Sequence, residues 1–153
     1  ASQEDLKSQF DFLIKVRNQL SAANQAVIDI RAIKPQIDDL SKKIDSEHKY
    51  IAKLISKISN DLKHIEEILY QTQNESDQDP LNFPIRLNNK MGYLGSIMAV
   101  GDYKPTDQSI KFYNEISTEI SAELMKLEKI KTKDLEELNK FISETNIKAI
   151  KTK

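Results

Sequence analysis

The sequence predicts an all-α fold, namely an antiparallel, up-and-down four-helix bundle with two long helices, one short helix and an extended, proline-containing strap. The composition supports this prediction, because the 153 residues include only three glycines and four prolines, while 31% of them are charged. Such a balance is typical of long amphipathic helices. Apolar residues also recur at helical spacing through most of the chain. Finally, all three glycines and three of the four prolines are concentrated between residues 79 and 108.

The length and charge of the chain limit its organisation and its partners. A chain of 153 residues suits a single domain, residues 1–153, because chains of this size bury about 68–70% of their unfolded surface. The net charge is only −1 and its groups are spread evenly, which argues against nucleic acid as a partner. No apolar run approaches the ~20 residues that span a bilayer, so no membrane span is expected.

The first helix carries a broad apolar stripe that is wide enough to contact more than one neighbour. Pro35 lies inside this run, where it removes a backbone hydrogen bond, so we expect a kink or a break there. The width of the stripe also leaves a homodimer open as an alternative. The stripe consists of Leu6, Leu13, Leu20 and Val27 and the adjacent Val16, Ala23, Ile30, Ile37 and Ile44.

The second helix has the most regular apolar pattern, with alternating steps of four and three that are typical of a bundle seam. Ser46, flanked by two acidic residues, is the expected helix-starting residue. The short connection predicts antiparallel packing of the first two helices. The seam residues are Ile51, Ile55, Ile58, Leu62, Ile65 and Leu69.

The segment rich in glycine and proline is expected to form the strap and then a short third helix. Alternate apolar residues from Leu81 to Leu87, with Pro80 and Pro84 favouring extended geometry, predict a strap lying on the bundle. Asn88 or Asn89 is the expected N-cap of the third helix. One face of that helix carries Met91, Leu94 and Met98, and another carries Gly92, Gly95, Ser96 and Ala99. The small face predicts that another helix backbone approaches closely, and Gly101 is the expected helix stop.

The last long helix is predicted from about Thr106 into the 140s. Its pattern weakens near Lys131-Thr132-Lys133, where Asp134 and Glu137 offer a possible fresh start, but a continuous helix is the preferred prediction. Its expected buried residues are Ile110, Tyr113, Ile116, Ile120, Leu124, Leu127, Leu135, Leu138 and Ile142.

Chemically reactive arrangements are weak in this sequence. Asp61, His64 and Glu67 share one helix face at spacings similar to half of a di-iron carboxylate site. Such a site needs a second Glu-x-x-His helix, which the sequence lacks, so a polar solvent-facing stripe is the favoured interpretation. Neither Gly-x-Ser-x-Gly nor a glycine-rich phosphate loop occurs. We therefore predict no catalytic residue and no cofactor, and keep these three residues as a metal or enzyme alternative.

Aromatic residues near two helix starts offer a candidate docking surface. Phe10 and Phe12 lie near the first helix start, and Phe112 and Tyr113 near the last one. We expect at least half of them in the core. If Phe12 and Phe112 are exposed together, a docking surface at these two residues becomes credible.

Two segments carry a family resemblance. Residues 78–109, QDPLNFPIRLNNKMGYLGSIMAVGDYKPTDQS, resemble a signature segment near the carboxyl end of large bacterial proteins with sortilin-like, Asp-box (BNR-type) β-propeller repeats, often labelled glycosyl hydrolases. Residues 10–31, FDFLIKVRNQLSAANQAVIDIR, resemble the start of the same terminal region. Gly92, Tyr93 and Gly95 depart from that pattern, which mainly has alanine and other small or aliphatic residues there.

The resemblance implies a C-terminal helical domain of a secreted or cell-envelope propeller protein. It also implies that any hydrolase activity belongs to the propellers, whose repeat motifs do not occur here. The leading hypothesis is a non-catalytic structural or protein-interaction module whose partners are β-propeller domains of the parent chain or another protein. The alternatives are a metal-binding or enzymatic bundle and a self-associating bundle.

Overall fold

The computed structural model describes residues 2–70, 86–100 and 104–145. All regular structure in these ranges is helical, which confirms the all-α class and the helical bundle. The elements are α1 (Gln3–Ser41), α2 (Lys49–Leu69), α3 (Leu87–Met98), α4 (Asp107–Lys129), a π-helical turn (Ile130–Asp134) and α5 (Leu135–Thr145). None of the described helices has a stretch long and apolar enough to cross a bilayer.

The first two helices run in opposite directions. Ser41 near the end of α1 lines a surface depression together with Ala52 near the start of α2. Further from the connection, Arg31 of α1 pairs with Glu66 of α2, with 2.8 Å between Nε and Oε1. Residues with lower numbers on α1 thus face residues with higher numbers on α2.

The last helices run in the same direction as α1. The rings of Phe12 and Tyr113 meet edge to face with centroids 5.5 Å apart. Further along both helices, Lys131 Nζ lies 2.7 Å from Asp29 Oδ2. Both contacts join residues about one hundred positions apart. Helix α1 and the helices from α4 through α5 therefore lie side by side with the same offset in residue number along their length.

The short helix α3 packs on the amino-terminal half of α1 in the opposite direction. The Gln9 side chain donates to the carbonyl of Met98 at 2.7 Å. Val16 lies beside Gly95, and Leu20 beside Gly92. Helices α2 and α3 therefore occupy successive positions along α1, which is about 58 Å long. The described helices form three lines: α1, α2 followed by α3, and α4 through α5.

The core lies between these three lines. All six predicted seam residues of α2 are buried, none more than 4% exposed. In the last line Ile116, Ile120, Leu127 and Leu138 are buried as expected, whereas Ile110 is exposed and its predicted burial is wrong. Ile110 lies in the first turn of α4, near the edge of the bundle.

Two predicted helix features differ from the structure. The predicted break at Pro35 does not occur, because α1 is continuous on both sides of it, and the alternative of a kink stays a prediction. The buried Ile37 and the partly buried Ile33 anchor the flanking turns in the core, so packing compensates for the lost hydrogen bond. Ser46 is not an N-cap, because α2 begins after His48. Asp45 organises that connection instead, accepting from the Glu47 amide at 3.1 Å.

The start of α3 also differs, while that of α4 is as predicted. Asn88 and Asn89 lie inside α3, and Arg86 occupies the N-cap position without a side-chain capping bond. Thr106 caps α4, its Oγ1 accepting from the Ser109 amide at 3.0 Å. The predicted strap and the helix stop at Gly101 lie outside the described residues, apart from Leu87, which is buried at the start of α3.

The last helical line continues through Lys131-Thr132-Lys133, as preferred from the sequence, but it changes there from an α-helix to a π-helix. These residues belong to the π-helical turn, which leads directly from α4 into α5. Asp134 is helical and buried, so it does not start a fresh helix.

Candidate functional site

Among the described residues, the three members of the metal alternative are not brought together with other ligands. Asp61 pairs with Lys57 at 2.9 Å on the same helix, while His64 is exposed and Glu67 half-buried. Within the described ranges, no group of three histidine, aspartate or glutamate side chains is arranged to hold a metal ion.

A buried carboxylate between α1 and α2 forms the first of several polar contacts that join the helices. Glu66 is buried, and its oxygens lie 2.8 Å from Arg31 Nε and 3.4 Å from Lys34 Nζ. Arg31 also lies over the ring of Tyr70, 5.0 Å from its centroid. A desolvated carboxylate is tolerated when cations and hydrogen bonds satisfy it, so this cluster fixes α1 against the end of α2.

A second polar contact joins α2 to the π turn. Lys57 Nζ lies 3.3 Å from the buried Asp134 and 2.9 Å from Asp61. The hydrogen bond with Asp61 is the main cause that raises the pKa of Lys57, and the bond with Asp134 adds to it against the opposing effect of burial. The lysine therefore stays charged between two carboxylates.

The start of α2 is tied to α5 by an aromatic side chain. Tyr50 donates its hydroxyl to Glu137 Oε1 at 2.9 Å, and its ring meets Phe141 edge to face at 5.0 Å. The bond to Glu137 raises the pKa of Tyr50. This contact holds the ends of the two helices together at the surface.

Uncharged side chains join α1 to the other lines. Gln19 donates to the carbonyl of Ser117 at 3.2 Å and to its hydroxyl at 2.6 Å. Gln9 bonds the end of α3. These glutamines and Glu66 were not predicted from the sequence, although each lies near the apolar stripe of its helix. A polar residue on or beside such a stripe is the one sequence signal that points to them.

Of the four aromatic residues near the starts of α1 and α4, Phe12 and Phe112 are not exposed together. Phe12 is buried against Tyr113, and Phe112 is partly buried against the core. Phe10 alone among these four is strongly exposed, at 63%. Because Phe12 is buried, the condition for a docking surface at Phe12 and Phe112 is not met.

A different apolar surface lies where α1 begins, α3 ends and α4 begins. The contacts of Gln9 with Met98 and of Phe12 with Tyr113 place these three helix ends at one end of the bundle. Five large side chains are exposed there, and we call them the apolar end: Leu6, Phe10, Ile97, Val100 and Ile110.

A shallow groove along the outer face of α4 leads away from the apolar end. Ile110 starts this groove, and Asn114 and Thr118 continue it among charged side chains. No protein-family model, curated protein or solved structure matches the chain. The resemblance to the propeller proteins therefore stays a prediction.

Proposed function

We propose that the chain is a non-catalytic helical module that binds another protein domain through the apolar end. The proposed partner is a β-propeller domain of a glycosyl-hydrolase-like parent chain or another protein. One observation carries the proposal: half of the exposed large apolar side chains in the described part of the chain lie at this one end.

The chemistry of the apolar end suits a protein interface. Phe10 is 63% exposed and Val100 71% exposed, so both offer apolar area that a partner would remove from water. Covering the exposed part of Phe10 would contribute about 1–2 kcal/mol. Large apolar side chains clustered within a polar rim are typical of interaction surfaces. The first turns of α1 and α4, which begin at this end, also carry the acidic residues Glu4, Asp5 and Asp107.

The buried polar side chains support a structural rather than a catalytic role. Glu66, Asp134 and Gln9 each make a contact that joins two helical lines. Groups engaged in this way hold the bundle together and keep the apolar end in place. Turnover of a substrate by the isolated chain, abolished by His64→Ala, would refute the non-catalytic part of the proposal.

Binding between the isolated chain and a propeller domain encoded in the same reading frame tests the proposal. Phe10→Ser should weaken this binding at least tenfold, because it removes the largest exposed side chain of the apolar end. Ile28→Ser is the matched control, since Ile28 is 59% exposed on the same helix but outside the apolar end. Equal binding by both variants, or a reading frame without propeller repeats, would contradict the proposed partner.

Self-association is the second candidate, and the same apolar end favours it. Sedimentation equilibrium over a wide concentration range distinguishes the two. We expect a monomer, whereas a dimer that Phe10→Ser dissociates would favour self-association. For the metal alternative, stoichiometric iron, manganese or zinc in protein purified without chelators, lost on His64→Ala, would favour a site at Asp61, His64 and Glu67.

A further inference from the structure

In the described part of the chain, three buried polar atoms at the start of α3 and on α4 have no hydrogen-bond partner. They are Arg86 Nε, Asn88 Oδ1 and Glu123 Oε2. Glu123 is only 5% exposed, and its other oxygen accepts from Lys126 Nζ at 2.9 Å. A buried carboxylate oxygen without a donor is unfavourable, and such atoms are uncommon in folded proteins.

The helix registers place these atoms at one level of the bundle. Gly95 of α3 lies beside Val16, and Gly92 beside Leu20, so the start of α3 lies four to five residues beyond Leu20 along α1. Gln19 contacts Ser117 and Ser121 of α4. Glu123 therefore lies a few residues beyond Leu20 as well, within about one helical turn of the level where α3 begins.

Helix α1 contributes both small and larger apolar side chains to the core near this level, namely the buried Ala23, Ala26 and Val27. The buried polar atoms without a partner near this level belong to one carboxylate, one guanidinium and one amide.

A complete version of the same arrangement occurs elsewhere in the molecule. Glu66 accepts from an arginine Nε through one oxygen and from a lysine Nζ through the other. Glu123 already has the lysine on one oxygen, and Arg86 offers a free Nε–H at the same level. The missing contact in the second cluster is the one between arginine and glutamate.

We propose that Arg86 and Glu123 form a latch that docks the start of α3 onto α4. In the latched state, Arg86 Nε–H donates to Glu123 Oε2 by rotation of the arginine side chain. Charge-assisted bonds of this kind are stronger than neutral ones, and the buried setting strengthens this one further. The proposal holds whether or not the apolar end binds a partner.

Amide hydrogen exchange of the purified chain tests the latch, because it reports the opening of α3 separately from global unfolding. Arg86→Gln and Glu123→Gln should each speed exchange of the α3 amides about tenfold and leave the α2 amides unchanged. The double variant should exchange no faster than either single variant. Lys90→Gln is the matched control, a neighbouring cation on α3, and should leave exchange unchanged.

Two outcomes would overturn the latch. Unchanged α3 exchange in Arg86→Gln would show that the guanidinium does not hold the helix. Multiplied effects in the double variant would show that the two side chains act independently. If Glu123→Gln does not fold, Arg86→Lys decides, since lysine keeps the charge but lacks Nε–H: faster α3 exchange supports the latch, and wild-type exchange refutes it.

Discussion

Replacing Gly95 by alanine tests how closely α3 packs against α1. A Cβ atom at position 95 would lie 3.3 Å from Val16 Cγ1, whereas one at Gly92 would lie 4.0 Å from Leu20 Cδ2. The distance at Gly92 is an ordinary van der Waals contact, and the distance at Gly95 is tighter than nine in ten Cβ contacts in known proteins. The two glycines share one helix, so Gly92→Ala is a matched control for Gly95→Ala.

The expected free energies of unfolding follow from two opposing effects. Alanine favours the helix by about 1 kcal/mol over glycine at both positions. At Gly95 the neighbouring Val16 is buried and its χ1 angle is stiff, so overpacking there costs about 1–3 kcal/mol. Gly92→Ala should therefore stabilise the protein, and Gly95→Ala should be about 1–3 kcal/mol less stable than Gly92→Ala.

Urea unfolding followed by circular dichroism measures this difference. A third variant isolates the cause of this difference. When Val16→Ala is already present, adding Gly95→Ala should raise the free energy of unfolding by about 1 kcal/mol, because the methyl group that crowds position 95 is gone. Equal stabilisation by Gly92→Ala and Gly95→Ala would refute the close approach. So would a Gly95→Ala penalty that persists in the Val16→Ala background.

Four further predictions address the core, the polar contacts and the first helix. Ile58→Ala should lower the free energy of unfolding by about 2–5 kcal/mol in urea, because Ile58 is fully buried. Glu66→Gln should cost about 1–3 kcal/mol, since two cations lose their counter-charge. Pro35→Ala should raise the melting temperature through a gain of about 1–2 kcal/mol, because α1 passes through this position unbroken. The hydrogen bond from Lys131 lowers the pKa of Asp29 below its usual 3.8. The ionised Asp29 therefore stabilises the folded protein above pH 3.8, and this stabilisation should be lost as the pH falls through the lowered pKa. Asp29→Asn should remove this part of the pH dependence of urea unfolding.

Exposed residues of the same types provide the controls. Ile28→Ala should change the free energy of unfolding by less than about 0.5 kcal/mol. Asp39 lies on the exposed face of α1, so Asp39→Asn should leave the dependence of the free energy of unfolding on pH unchanged at acid pH. If Pro35→Ala lowers the stability, the prediction for Pro35 is wrong. If Glu66→Gln leaves the stability unchanged, the prediction for Glu66 is wrong.

Much of the fold could be predicted because burial repeats along a helix. The seam of α2 follows from its spacing alone, since only one face of a helix can meet the core. The cap at Thr106 is also a local property, as a hydroxyl reaches the amide three residues ahead. The start of α2 was not predictable in this way, because Asp45 bonds the Glu47 amide within the connection, and Ser46 is not the cap.

The candidate site was less predictable, because its members meet only through tertiary structure. Phe12 and Phe10 are two residues apart, yet one faces Tyr113 and the other faces solvent. Glu66 and Glu67 are adjacent and chemically identical, yet only Glu66 faces Arg31. Sequence spacing shows that such neighbours differ in direction, but it does not show which direction meets a partner helix.

The lengths of the helices explain why the apolar end exists at all. Helix α1 has 39 residues, and residues 107–145 form a helical line of the same length that runs in the same direction. The chain can return to the start of α1 before α4 begins because α2 and α3 together cover the length of α1. Two helix starts and one helix end therefore meet at the same level. In the described part of the chain no helix lies beyond the first turns of α1 and α4 to cover their side chains, so Leu6 and Ile110 stay exposed unless a second protein surface packs against this end.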